Sequence, residues 1–420
     1  MSDTAVQPAP GPWYRGITSP QKKALLSASL GWMLDGMDIM LYFMVLAELM
    51  KHFGMSKAMG GLMSSLTLLA SAVGGVLFGL VADRIGRVKA LMGSILVYSI
   101  FTGACGLSGS VFQLAVFRVL LGLGMGGEWA TGAALVAETW PAEKRGKAMG
   151  IVQSSWAIGY ALAAVITAFV LPRWGWRAVF FVGVLPALLT LWIQKRVEEP
   201  EIWKKIAERR KIDAKANRPG LGLIFRKPYL KNTLVTTCMN AGTMFAYWGL
   251  FTWIPSYLGL SRNEGGMGLD IVKTSTWILV MQAGMWLGYV SFGFICDKVG
   301  RKPTYIFYLF AAAILVFAYS RARDNTMLLL LGPFVAFFGT GYFSGFGTIT
   351  AEIFPTEVRA SAQGFTYNIG RGLSAVAPFT IGALAKSHGL SIAFTLTSAF
   401  FLLAALIAFA LPETRGKQLE

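Results

Sequence analysis

Charged residues are scarce in this chain. Of its 420 residues only 14% are Asp, Glu, Lys or Arg, while 55% are hydrophobic. A soluble domain carries about 25% charged residues, so the shortage excludes a water-soluble globular protein. Histidine is scarcer still. His52 and His388 are the only two, both near expected loops, with no nucleophile or acid spaced to make a catalytic pair. An enzyme is therefore not expected. The three cysteines, Cys105, Cys238 and Cys296, lie in apolar stretches without ligand spacing, which argues against disulfides and metal sites. No phosphate-binding loop with its lysine is present, so nothing points to ATP-driven work. The loose G-x-G-x-x-G at 122–127 lies inside an apolar run with no strand before it, and is no nucleotide site. No cofactor is expected. The first dozen residues, "MSDTAVQPAPGP", lack the pattern of a signal peptide and read as an unstructured start.

What the chain has instead is apolar length. A helical membrane span needs about 20 apolar residues, and twelve stretches qualify: 25–48, 59–82, 89–108, 111–138, 148–171, 178–195, 230–259, 271–296, 303–320, 326–353, 362–386 and 391–411. They are too long and too uniformly apolar for barrel strands, so helices must carry them. The expected fold is an all-α polytopic membrane protein embedded in the lipid bilayer. The net charge of +17 could suggest nucleic acid, but its placement says otherwise. Of 38 Lys and Arg, 27 fall before the first span, in the loop from Lys195 to Lys231, in the tail, or in short loops on that same side. Nine fall on the opposite side and two, Arg118 and Arg371, within spans. The positive-inside rule then puts both termini in the cytoplasm.

The short loops repeat. "GLVADRIGRVKA" (79–90) and "GFICDKVGRKPT" (293–304) align at an offset of 214, through Asp83 and Asp297, Gly86 and Gly300, Arg87 and Arg301. "AETWPAEKRGKAMG" (137–150) and "AEIFPTEVRASAQG" (351–364) keep the same offset, through Glu138 and Glu352, Arg145 and Arg359. Two unrelated motifs sharing one offset indicate an internal duplication: two six-helix halves, 1–195 and 230–420, joined by a linker at 196–229. Parallel six-span repeats are a transporter architecture with the ligand site at the midplane. Gly86 permits a tight turn between paired helices. Asp83 can face helix N-termini. Arg87 and Arg301 can pair with acids at neighbouring helix ends, Glu138 and Glu352 first among them, and Arg84, Arg145 and Arg359 lie in the same set of short loops. These residues are expected to form a breakable latch between the halves.

Ionisable residues inside a membrane are costly and mark function by default. At 1.5 Å of rise per residue, Asp35 and Asp38 lie roughly 17 and 21 Å deep, and Glu128 and Arg371 roughly 15 Å. They share one layer, with Arg118 nearer the outside. Asp35, Asp38 and Tyr42, at i, i+3 and i+7, occupy one helix face. Three acids against two arginines leave one carboxylate over, and in a low-dielectric cavity such a group keeps a proton. That is the requirement for proton coupling, with Asp38 preferred, then Asp35, then Glu128. Arg371, in "YNIGRGL" with Tyr367 and Asn368, offers a planar fork for a substrate carboxylate. Asn240, Gln282, Tyr160 and Tyr342 supply neutral polar groups in the same layer. The aromatics of the seventh span (Phe245, Tyr247, Trp248, Phe251, Trp253, Tyr257) read as packing more than as ligand walls.

"GLVADRIGRVKA" resembles the G-x-x-x-D-R-x-G-R-[RK] signature of the major facilitator superfamily, "GFICDKVGRKPT" its degenerate second copy, and "RVLLGLGMGGEW" (118–129) the R-x-x-x-G-x-G of the fourth helix. Within it, "LDGMDIMLY" (34–42) is similar to the D-G-x-D pattern of bacterial aromatic-acid and sialate:proton symporters. "WGWRAVFFVGVLPALL" (174–189) and "EEPEIWKK" (198–205) look like the sialate branch, and the ending "LPETRGKQLE" resembles sugar porters. The resemblance implies two pseudo-symmetric six-helix bundles in a bacterial inner membrane. The expectation is a monomeric, proton-coupled importer of a small organic anion (a monocarboxylate, an aromatic acid or a sialate-like acid). The alternatives are a sugar facilitator and a proton-coupled exporter. A sensor is disfavoured by the lack of any appended signalling domain.

Overall fold

The structure is a computed structural model. It describes residues 16–201, 203–205, 208, 221–354 and 356–414, without the side chains of 83, 142, 143, 145, 146, 221, 223, 297, 351 and 356–361. The expected unstructured start and the middle of the expected linker fall outside these residues.

Among the described residues every regular element is helical. The first bundle contains α1 (Ser19–Phe53), α2 (Lys57–Ile85), α3 (Arg87–Gly106), α4 (Val111–Thr139), α5 (Ala142–Val182) and α6 (Ala187–Arg196). The second contains α7 (Leu230–Phe251), α8 (Ile254–Gly259), α9 (Ile271–Val299), α10 (Arg301–Arg321), α11 (Asn325–Gly341), α12 (Phe343–Ile353), α13 (Thr356–Ser374) and α14 (Ala377–Ala408). In hydrocarbon each backbone amide must bond within its own segment, which is why the apolar runs become helices. The turns are marked by short polar caps: Thr18, Ser56, Ser110, Asp270 and Asp324 each accept an amide of the first helical turn, replacing partners that the helix itself cannot supply.

These helices make twelve crossings. α5 carries the fifth into the sixth through a break at Gly175 (φ 74°, ψ 177°), and α14 ends the eleventh and carries the twelfth through a break at Gly389 (φ 79°, ψ 158°). A positive φ at low cost requires glycine at both. The seventh, tenth and eleventh crossings are interrupted at Thr252–Trp253, Tyr342 and Ala375–Val376. α2 packs on α13 and α14, and α5 on α9, across the bundles.

The end of the molecule bearing Gly86 and Gly300 is called the motif end here. At the other, far end the bundles are in close contact. A Cβ on Gly61 would collide with the Pro378 carbonyl, and one on Gly382 with that of Lys57. Phe379 N donates to Ser65 Oγ at 3.2 Å, and Lys57 Nζ donates to the Glu264 carbonyl at 2.6 Å. The Ser261 hydroxyl, with its amide, holds the Glu264 carboxylate below its ordinary value. At the motif end, Gly79, Gly150, Gly293 and Gly364 have nothing within 4 Å of where a Cβ would stand. Among the described residues, the two bundles touch closely at the far end, while these four motif-end glycines face no neighbouring atom.

Candidate functional site

A narrow cavity, with about 20 Å³ of room for the centre of a water-sized sphere, lies at mid-depth between the bundles. Trp32, Gln153, Trp156, Met244, Tyr247, Trp248, Tyr289, Phe343, Tyr367 and Arg371 line it. Arg371 is the one cation among these residues. It sits in the last turn of α13, where the partial negative charge of the helix end favours a cation. The break at Ala375–Val376 follows at once. Its Nε has no hydrogen-bond partner, and no described ion pair joins it to an acid.

Two acids share its field. Asp35 and Glu128 are both buried and each interacts electrostatically with Arg371 and with the other. Neither Glu128 oxygen has a hydrogen-bond partner, nor has Asp35 Oδ2. Glu128 fits because α1 is bare beside it: its Oε1 lies 2.5 Å from where a Cβ on Gly31 would stand. Asp38 feels the charge of Asp35 but is held differently: its Oδ2 accepts from Thr102 Oγ1 at 3.1 Å, and its Oδ1 lies 3.0 Å from a Cβ position on Gly183. Arg118 is also buried apart, with its Cζ 4.0 Å from the centroid of the Tyr42 ring and no hydrogen bond to any guanidinium nitrogen.

Of the other residues expected at the site, Tyr367 joins Arg371 in the wall and five do not line it. Asn368 turns toward Gly75 of α2 and donates to the Gly364 carbonyl. Asn240 donates to the Thr366 carbonyl at 3.2 Å, and Tyr342 to that of Thr243 at 3.1 Å. Gln282 bonds its own helix at Ile278, and the buried Tyr160 hydroxyl has no partner. Two aromatics weighted as packing, Tyr247 and Trp248, are in the wall. Trp32, Gln153, Trp156, Met244, Tyr289 and Phe343 were not anticipated. The available signal was depth: counted from the motif end, nearly all fall ten to fourteen residues into their helices.

At the motif end Arg87 grips Glu138 through Nε (3.1 and 3.3 Å) and through its second terminal nitrogen (2.8 Å). Arg301 grips Glu352 likewise, at 3.4, 3.3 and 3.2 Å. Glu199 accepts from the amides of Arg87, Val88 and Lys89, and Glu413 from those of Arg301 and Lys302. Each pair lies within one bundle, joining α3 to α4 or α10 to α12. These described contacts brace each bundle internally, and none of them joins the two halves as the expected latch would. Arg84 is exposed. The side chains of Asp83, Arg145, Asp297 and Arg359 lie outside the described set.

Known proteins agree with this architecture. The Major Facilitator Superfamily description matches residues 28–291 and 267–420. A cis,cis-muconate transport protein of Acinetobacter baylyi (strain ATCC 33305 / BD413 / ADP1) is 32% identical, covering 92% of this chain and 93% of that one. A sialic acid transporter of Escherichia coli (strain K12) is 30% identical, with 95% and 96% covered. The crystal structure of a D-xylose-proton symporter superposes with a TM-score of 0.76 at 21% identity, covering 95% of this chain and 99% of that one. With both halves matched and relatives aligned end to end, the chain belongs to the major facilitator superfamily and is a multi-pass transport protein, not an enzyme.

Proposed function

We propose that the protein is a proton-coupled symporter that takes up a small organic carboxylate by alternating access across a bacterial plasma membrane, with both termini cytoplasmic. The observation that carries this reading is Arg371, a buried cation without an ion-pair partner among the described residues, in the wall of a cavity otherwise built of seven aromatic rings, a glutamine and a methionine. A guanidinium matches a carboxylate in two parallel hydrogen bonds. The rings favour a flat acid, and one cation balances one carboxylate. Relatives named for muconate, sialic acid and niacin transport support the organic-acid class. The cavity lies within a single chain, which fits a monomer.

Proton coupling follows from the count of charges. Asp35 and Glu128 share Arg371, so one of them is neutral in a balanced site. Protonating the other frees the arginine for the substrate. Asp38, held by Thr102 and with no described interaction with Arg371, ranks behind both, reversing the order read from the first-helix motif. The sugar alternative rested on the ending "LPETRG", whose Glu413 instead caps α10. The test is uptake of labelled benzoate, nicotinate, muconate, lactate and sialate into proteoliposomes under an imposed proton gradient of either direction. Accumulation of a flat monocarboxylate with an inward gradient supports the reading. Accumulation only with an outward gradient makes the protein an exporter, and uptake of xylose alone removes the carboxylate reading.

A further inference from the structure

The rings around the cavity form a connected ladder. In the first bundle, Trp32 is held between Trp129 and Trp156, with centroids 4.6 Å from each. Second-bundle rings meet this plate at both ends. Trp129 stacks on Tyr367 at 5.8 Å and 27°. Trp156 meets Trp248 edge-on at 6.2 Å, and its Nε1 donates to Tyr247 Oη at 2.8 Å.

The two ends lie at different depths. Trp129 is ten residues before the end of α4 and Tyr367 eleven after the start of α13, about 15 Å from the motif end. Tyr247 and Trp248 are seventeen and eighteen residues into α7, about 26 Å in. Arg371 lies between them, one turn beyond Tyr367. The far pair is backed by the packed backbones of Gly61, Pro378 and Gly382. The pair near the motif end is backed only thinly. Asn368 packs on Gly75 beside it, and nearer that end the described glycines of α2, α5, α9 and α13 face open space.

We infer that the Trp129–Tyr367 stack is the thin gate between the cavity and the motif end, the contact that must part before the cavity's contents reach that side. The three-tryptophan plate is the fixed surface on which it closes, so rocking can loosen one end of the ladder while the other stays shut. The gate builds on the reading of the cavity as the substrate site, but it is defined by access alone. Its strength is that of one aromatic pair, a roughly two- to tenfold bias toward closure.

The test uses Met244→Cys, which lies in the cavity wall, as a reporter in a chain with Cys105, Cys238 and Cys296 replaced by alanine. Membrane vesicles expose the motif end (inside-out) or the far end (right-side-out) to a charged maleimide. Trp129→Ala should speed labelling roughly two- to tenfold from the motif end and leave the far-end rate unchanged. Trp129→Phe, which keeps a ring, should stay near the parent rate. A parent-like rate for Trp129→Ala, an equal increase with Trp129→Phe, or a matching increase from the far end would overturn the gate. If Trp129→Ala does not elute as folded monomer, Tyr367→Leu removes the same stack from the other bundle and is judged by the same criteria. No substrate enters the assay, so the labelling rates test the gate even if the carboxylate reading is wrong.

Discussion

At an offset of 214 residues the motif end superimposes on itself. Gly86 and Gly300 share backbone angles (115°, 155° and 123°, 154°). Arg87 and Arg301 each grip a glutamate, and Glu199 and Glu413 each cap the following helix; at the far end the same offset pairs Gly175 with Gly389, each of which breaks a helix. At mid-depth the same offset fails. It carries Asp35 to Gly249, Asp38 to Thr252, Arg118 to Gly332 and Glu128 to Tyr342, and it carries Arg371 back to Ala157. The interruptions of the sixth crossing at Gly183–Pro186 and of the seventh, tenth and eleventh likewise have no counterpart at the offset. The motif end does a task both bundles share, turning one helix tightly into the next and keeping each bundle rigid. The middle sets acids on one bundle against a cation on the other. An anion entering between them competes with one bundle for the other, which is how binding can couple to their relative motion.

The largest expected effect comes from removing that polarity. Asp35→Asn or Glu128→Gln, whichever acid carries the proton, should abolish uphill uptake under a proton gradient while sparing counterflow exchange, which moves no net proton. Asp38→Asn should keep uphill uptake. Loss of accumulation in Asp38→Asn alone would return the coupling role to the position that the first-helix motif suggests.

Arg371→Lys comes next. It keeps the charge and loses the planar fork. Losing a charge-assisted bond of about 1.5–3 kcal/mol weakens binding roughly ten- to a hundredfold. Calorimetric titration with the transported acid reads this directly, and near-parental affinity would place the carboxylate elsewhere.

How much of this was legible in the sequence follows the same division. Spans, repeat and motif-end turns were readable because apolar length and a fixed offset are one-dimensional signals. The offset even reaches Glu199 and Glu413, although "EEPEIWKK" and "LPETRGKQLE" looked like separate resemblances. The layer of buried charges was readable from helical rise. Its partition was not, because α1 packs on α3, α4 and α5 at once, so Asp35 and Asp38 on one face meet different neighbours. Nor was the Trp32–Trp129–Trp156 plate, since tryptophans in a span look alike whether they face lipid, core or cavity. The described partners of the two motifs were not legible either: Arg87 and Arg301 each meet a glutamate of their own bundle, which like motifs in two halves do not announce.

A smaller effect is expected at the packed contact of the far end, which the repeat also does not copy. Gly61 corresponds to Ser275 in the second bundle. Gly61→Leu puts a side chain against the Pro378 backbone, which cannot yield as a flexible side chain would. Overpacking of this kind costs about 1–3 kcal/mol, and here the cost falls only on the conformation closed at the far end. Reagents applied from that side should label the cavity faster, and transport should slow. Unchanged labelling would mean the helices separate elsewhere.

The smallest effect sharpens the symmetric side of the comparison. Glu199 and Glu413 do the same work in opposite bundles, each carboxylate accepting the free amides that begin a helix and facing the positive end of its dipole. Alanine at either position leaves those amides without that acceptor, a loss of about 0.5–2 kcal/mol. If the motif end is two copies of one brace, Glu199→Ala and Glu413→Ala should lower the melting temperature of the detergent-solubilised protein by similar amounts. The double variant should show their sum, because distant sites without shared partners add. The two caps belong to different bundles, so any deficit or excess in the double variant measures communication between the bundles at the motif end. A large non-additive term would mean that the bundles spend much of their time in contact there, and a marked inequality between the single variants would mean that the repeat is a likeness of shape without equivalence of load.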